Sequence, residues 1–331
     1  MQSFARKCLY LIFGLAVFKG SFAQTVTWCV YDFTGNHGMT MQLMRDYAIA
    51  SKKWGVNAQH KVYSSDQAAL HAFQQQQCDG VVASTFLLRE YNPFVGTLNA
   101  VGLMPNNQVA EQTFMALAHK DTAQYMQYKG YETVGWMPIG SAYFMVKDRE
   151  INSITELAGR RIGALKEDPS QSRMIRRVGA QVVFINFDNA ANFFIDNKVD
   201  ILPAPIYAYQ PFKLDRGLGQ RGGVINFPIS YISLSAIVRK DAVPKDYGQQ
   251  SREWFKNNTP KMMRNVLNWE KSMPTKYWYD IPLADRSSYQ RLVMQLRKEF
   301  IKSGLYHPAA INMVLKLHCH HNPQYFECKK S

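Results

Sequence analysis

The feature that most limits how this chain can fold is an internal repeat. From Val26 the sequence runs "VTWCVYDFTG", "MTMQLMRDYAIASKKW", "GVNAQHKVY", "SSDQAALHAFQQQQ", "CDGVVAS". These segments read as strand, helix, strand, helix, strand. Met41, Met44, Tyr47 and Ala48 fall on one helical face, and Ala69, Ala72 and Phe73 form the apolar stripe of the second helix. From Arg160 the order returns: "RRIGAL", the loop "KEDPSQS", "RMIRRV", "GAQVVFI", "NFDNAANFFIDNK", "VDILPAP". Single residues correspond as well. Gly55 matches Gly179, Asp66 matches Asp188, Ala68 and Ala69 match Ala190 and Ala191, and Asp79 matches Asp200.

Strands that alternate with helices join through right-handed crossovers, so each copy is expected to build an open, mainly parallel sheet flanked by helices. Two copies predict two lobes. The apolar stretch "YETVGWMPIGSAYFMVKD" between them suits a strand crossing from one lobe to the other. "GGVINFPISYISLSAIVRKD" suits a return crossing, and the last third reads as helical, with "SYQRLVMQLRKEFIKSGLY" its clearest amphipathic segment. The expected division is 24–139 plus 227–331 for lobe I with the C-terminal helices, and 140–226 for lobe II. Crossing strands of this kind act as hinges.

At 331 residues, 47% apolar and 19% charged, the chain has material for two ordinary cores. Residues 1–23 read as a cleaved export signal. Arg6 and Lys7 precede the apolar run "CLYLIFGLAVF", and "GSFAQ" offers small residues near Ala23. That run is shorter than the about 20 residues a bilayer span needs, and nothing else approaches that length. A periplasmic location is expected, which excludes a polytopic pump or channel. Loss of Arg6, Lys7 and Lys19 with the leader, and of no acid, turns a formal charge of +14 into +11. Lys and Arg are scattered without a basic block, so the surplus reads as a solvated face and no nucleic-acid partner is expected. Four cysteines remain in an oxidising compartment, and pairing Cys29 with Cys78 and Cys319 with Cys328 is expected. The first two fall on segments that neighbour each other in one sheet, and the last two close a small C-terminal loop.

The segments "YKGYETVGWMPIGSAYFMVKDREINSITELAGRRIGA", "VGAQVVFINFDNAANFFIDNKVDILPAP" and "VINFPISYISLSAIVRKDAVPKDYGQQ" resemble the two-lobed, type II periplasmic solute-binding proteins, in particular the DctP-like receptors of TRAP transporters. The resemblance covers roughly residues 125–250, with weaker support over 25–95. A narrower resemblance is to AdeT-like solute-binding chains, a group associated with RND-type efflux. The resemblance implies an α/β, type II periplasmic-binding-protein-like fold and a receptor that captures a small polar or anionic organic solute between its lobes and delivers it to the subunits of a TRAP-like membrane transporter. It departs at one place. DctP-like receptors usually carry, in the strand after "L-x-G", an arginine that clamps a carboxylate. Gly163 occupies that position here, with Arg161 on the same strand face and Lys166 at the strand end as substitutes.

In parallel α/β sheets ligands gather at the carboxyl ends of the strands. The candidate ligand-binding residues at those ends are Tyr31, Asp32, Phe33, His37, Ser84, Thr85, Lys166, Asp168, Asn186, Asp188 and Tyr207. They are joined by Tyr143 and Tyr231 of the crossing segments as further cleft aromatics, and by Arg161, which the resemblance brings in as a substitute for the family's arginine. Asp66 and Asp188 begin repeated helices and read first as caps. "KEDPSQS" reads as a capped helix start before an anion site. "GLGQRGG" precedes a strand, not a helix, so its glycines read as a loop. "HCHHNPQYFEC" matches no standard zinc template and reads as a disulfide loop. H-E-x-x-H, G-x-S-x-G and P-loop patterns are missing. A monomeric binding protein is expected, not an enzyme, with no cofactor or metal. The alternative is an accessory protein of a membrane transport or RND-type efflux system that has lost receptor activity.

Overall fold

The structure, a computed structural model, describes residues 23–328, and the expected leader lies outside them apart from its last residue. The first repeat forms β1 (Gln24–Tyr31), α1 (Met39–Ser51), β2 (Val56–Tyr63), α2 (Asp66–Gln74) and β3 (Gly80–Ser84). Two short helices follow, α3 (Pro93–Gly96) and α4 (Asn107–Ala116), then β4 (Gln127–Tyr128) and the crossing strand β5 (Tyr131–Val146). The second repeat is β6 (Arg161–Leu165), α5 (Pro169–Arg177), β7 (Gln181–Ile185), α6 (Phe187–Ile195) and β8 (Ile201–Pro205). After α7 (Asp215–Leu218) and β9 (Gly223–Ile225), the return strand is β10 (Ser230–Arg239). The chain ends with α8 (Tyr247–Ser272), β11 (Trp278–Tyr279), α9 (Leu283–Lys302) and α10 (Pro308–His321).

The first strand of each repeat sits between the other two, giving β2-β1-β3 and β7-β6-β8. Within each set the strands are parallel. The repeats do not form separate sheets. β10 and β5, antiparallel to each other, join them in the continuous order β2-β1-β3-β10-β5-β8-β6-β7. β5 pairs with β10 up to Ala142, and from Ala142 onward its other edge pairs with β8.

The repeated residues do the same work in both copies. Gly55 and Gly179 adopt left-handed φ of +76° and +72° where helix turns to strand, a conformation that costs glycine no Cβ clash. The Asp79 carboxylate accepts from the Thr27 amide at 2.7 Å, and Asp200 accepts from the Arg161 amide at 2.8 Å. Each aspartate thus pins the start of the third strand to the first. Helix starts differ in detail: Asn186 caps α6 through a reciprocal pair with Asn189, whereas Ser65 holds the cap position of α2 without a side-chain bond.

On α1, Met41, Met44 and Tyr47 are buried as the periodicity predicts, while Ala48 is only half-buried. Their core includes Trp28, Trp136, Tyr247 and Phe255. The second repeat has its own apolar clusters, one around Met145, Phe194 and Leu202 and another around Ile162, Ala164 and Ile201. The C-terminal segment bridges the halves: β11 pairs with β9, Ile281 and Tyr289 pack with the second repeat, and Val293, Leu296 and Phe300 pack with the first. Cys29–Cys78 and Cys319–Cys328 are the disulfides formed, as expected. Among the described residues no helix is long and apolar enough to cross a membrane.

Candidate functional site

A cavity lies where the carboxyl ends of both repeats converge on the crossing strands. It has about 140 Å³ open to the centres of water-sized molecules. That is close to the about 150 Å³ of an apolar cavity that admits benzene. Its floor is Ile139 and Ala142 of β5 with Ile229, Ser230 and Ile232 at the start of β10. The first repeat contributes Tyr31, Asp32, Phe33, Thr40 and Ser84, and the second Leu165, Asp168, Ile185, Phe187, Leu202 and Tyr207.

Each polar group in the wall is positioned by its local fold. Asp32 follows the last residue of β1 and accepts from Thr34 N at 3.0 Å, Thr34 Oγ1 at 2.7 Å and Met41 N at 3.1 Å. Its carboxylate therefore ties the turn after β1 to the first turn of α1, where helix N–H groups favour a negative charge. Ser84 ends β3 and donates to Asp66 Oδ2 at 2.7 Å. Burial, despite that bond, raises the Asp66 carboxyl to about 6. Asp168 caps α5 through Ser170 N and Oγ and pairs with Arg89 at 3.2 Å.

Aromatic rings close the halves over one another. Tyr31 stacks on Phe187 with centroids 6.3 Å apart, and Phe33 meets Tyr207 at 5.4 Å and Phe212 at 5.0 Å. Gln67 donates across to Glu167 at 2.5 Å. Burial above all, reinforced by nearby carboxylates, raises the Tyr31 and Tyr207 hydroxyls well above the usual phenol range, so both stay protonated.

Comparison with known proteins places this geometry. Residues 21–331 match the family described as "Solute-binding protein AdeT 1/2". The chain belongs to that family. It is 35% identical over 299 residues to "Probable solute-binding protein AdeT1" of Acinetobacter baumannii, covering 90% of this chain and 98% of that one. Among solved structures it is similar to a TRAP periplasmic solute-binding protein from Desulfovibrio salexigens with bound orotic acid, with a TM-score of 0.69, 13% identity, and coverage of 90% of this chain and 99% of that one. A second is a TRAP periplasmic solute-binding protein from Haemophilus influenzae with bound L-gulonate, with a TM-score of 0.70, 11% identity, and coverage of 89% and 98%. At such identities the likeness carries the two-lobed fold alone. The chain is thus a member of a solute-binding protein family with the two-lobed fold.

Of the residues the sequence singled out, Tyr31, Asp32, Phe33, Ser84, Asp168 and Tyr207 line the cavity. The rest do not. Arg161 starts β6, at the end of the strand opposite the cavity, and grips Asp200 at 2.6 and 3.1 Å. Lys166 and His37 are exposed. Asn186 is engaged as the cap of α6, and Asp188 is exposed in its first turn. Tyr143 and Tyr231 alternate to buried faces of their strands, and Thr85, just past the end of β3, is buried as well. There Thr85 bonds Ser233 and Ser235, Tyr143 meets the Trp278 ring at 4.9 Å, and the Tyr231 hydroxyl donates to Asn107 at 3.2 Å.

Gly163 is the position at which the resemblance to DctP-like receptors places an arginine. A Cβ there would lie 2.8 Å from Ile185 Cδ1 and 3.5 Å from Leu202 Cδ1, and both of those side chains line the cavity. Apolar side chains therefore pack against Gly163, and neither Arg161 nor Lys166 lines the cavity. Among the described residues no Lys, Arg or His lines the cavity. The sequence also missed Thr40, Asn99, Phe187, Phe212 and Ser230. Phe187 adjoins the singled-out Asn186 and was within reach of the strand-end rule. Asn99 sits in an irregular loop with no periodic signal.

Proposed function

We propose that this protein is a periplasmic receptor that takes up a small organic solute with a largely apolar body and passes it to the membrane subunits of a TRAP-like transporter. The observation that carries the reading is the cavity itself, a ring-sized space whose wall is shared between the two repeats and floored by the two crossing strands. A solute bridging such a wall favours the form in which the halves meet, which couples binding to shape. We take lobe I as 24–139 plus 227–331 and lobe II as 140–226, with residues 278–289 reaching across to the second. The cut falls beside Gly140, whose φ of +117° and neighbouring register shift interrupt the β5–β10 ladder. We take the receptor to act as a monomer.

The test is native mass spectrometry of the gently purified mature chain against its denatured mass, followed by a broad thermal-shift solute screen. A retained small molecule, or solutes that raise Tm and make the chain more compact in solution scattering, is the expected result. No change with any solute would overturn the receptor reading and favour the accessory role, for which the loss of the clamp at Gly163 is the supporting observation.

A further inference from the structure

The polar groups of the cavity are unequal in kind. Asn99 is buried and lines the cavity, and its Nδ2 donates to the carbonyl oxygen of Tyr231. A carbonyl can only accept, so this bond fixes the amide's orientation and leaves Oδ1 as the free end. Asn99 Oδ1 is buried and has no hydrogen-bond partner. Such an orphaned acceptor is rare in a folded protein unless a ligand or water completes it.

The hydroxyls point the same way. Ser84 gives its hydrogen to Asp66, Ser170 to Asp168, and Ser230 to the Asn99 carbonyl at 2.7 Å. Each of these three has one hydrogen and offers a solute only lone pairs, while the protonated Tyr31 and Tyr207 hydroxyls of the wall are the neutral donors beside them. Asp32 takes its bonds from an amide, a hydroxyl and a helix N–H. Among the described residues neither Asp32 nor Asp66 has an ion-pair partner. Arg89 pairs through Nη1 with the wall residue Asp168 but does not itself line the cavity, and its buried Nη2 has no hydrogen-bond partner among the described residues. Apart from Thr40, Gln171 and the tyrosine hydroxyls, the rest of the wall is mostly ring faces and aliphatic side chains, and ring faces attract cations.

Building on the receptor reading, we propose that the cavity selects an organic cation, a protonated amine on an apolar body about the size of one ring. Its N–H is donated to Asn99 Oδ1, and its charge is balanced by Asp32 and the aromatic faces. A carboxylate of the same size would meet the Asp32 carboxylate and, among the described residues, no lining cation to balance its charge. The selectivity is thus opposite in sign to that of an arginine clamp, and it sits inside a protein whose surface is strongly basic.

Calorimetry on the mature protein with benzylammonium, benzyl alcohol and benzoate, three probes of similar size and different charge, tests this. The expected order is benzylammonium first, by about tenfold over benzyl alcohol, with benzoate weakest. Asp32→Asn should narrow the amine-over-alcohol preference by about tenfold. Because Asp32 also anchors α1, Asp66→Asn, which keeps an acceptor for Ser84, is the second variant and should narrow the same preference. Benzoate or benzyl alcohol binding as tightly as benzylammonium overturns the cation proposal and leaves the receptor reading intact. If none of the three binds, the solute screen decides. Hits confined to neutral or anionic solutes overturn the cation proposal alone, amine hits support it, and no hit in any class overturns both.

Discussion

Arg89 Nη1 lies 3.2 Å from Asp168 Oδ1, tying the short helical turn after β3 to the N-cap of α5 in the other repeat. Both side chains are largely buried, and Arg89 Nε also holds the Gly96 carbonyl at 3.1 Å. Removing one partner of such a pair strands the other charge in a poor solvent. Arg89→Met should destabilise the fold by about 2–4 kcal/mol, read from urea unfolding. Small-angle scattering should also show a less compact chain, because a bond between the halves is lost. A variant as stable and as compact as the parent would show that the pair does not hold the halves together.

Gly163 offers a gain-of-function test. Gly163→Arg alone places a Cβ 2.8 Å from Ile185 Cδ1 and should cost about 1–3 kcal/mol through overpacking. Combined with Ile185→Ala, which frees that space, it should recover stability relative to Gly163→Arg and shift preference toward carboxylates in the benzoate–benzylammonium comparison. If the double variant folds and still rejects benzoate, the cavity's polarity is set elsewhere than at this position.

Asp66 predicts a pH dependence. Burial lifts its folded-state value to about 6 from an ordinary 3.8, so the folded state binds the proton more tightly than the unfolded one. Its contribution to stability is therefore present in full below about pH 4 and is lost as pH rises through about 6. The size is on the order of 2–3 kcal/mol. His60, lowered to about 4 by burial, acts oppositely, since it resists protonation in the folded state. The clean measurement is thus the difference between parent and Asp66→Asn unfolding free energies from pH 4 to 7. That difference should drift against the parent as pH rises, and a flat difference would remove Asp66 as a titrating group.

The two disulfides should contribute unequally. Cys29–Cys78 spans 49 positions and Cys319–Cys328 spans 9. By chain entropy the longer loop stabilises by about 1.5 kcal/mol more. Cys29 and Cys78 are also buried among Ala69, Phe73 and Val81, whereas the C-terminal bridge is peripheral. Double alanine replacement of each pair, followed by thermal unfolding, should show the larger fall in Tm for the first pair. Equal falls would place the dominant effect outside loop closure.

Much of the fold was written in local pattern. The repeat fixes the order of strands and helices, because period and helix caps act over a few residues and do not depend on distant partners. Gly55, Gly179, Asp79 and Asp200 were legible for the same reason, each serving a junction that recurs. Six wall residues, Tyr31, Asp32, Phe33, Ser84, Asp168 and Tyr207, followed from one rule, that parallel strands present their carboxyl ends together. Side-chain direction was not legible to the same degree. One position along a strand reverses the face a residue occupies, which is why Ala142 of β5 meets the cavity while Tyr143 is turned away to the Trp278 ring. Asn99, Ser230 and Gly163 take their meaning from neighbours far along the chain, Tyr231 for Asn99 and Ile185 and Leu202 for Gly163. The backbone order is a sum of short-range preferences. The chemistry of the cavity is a product of packing, and it exists only once the two repeats are folded against each other.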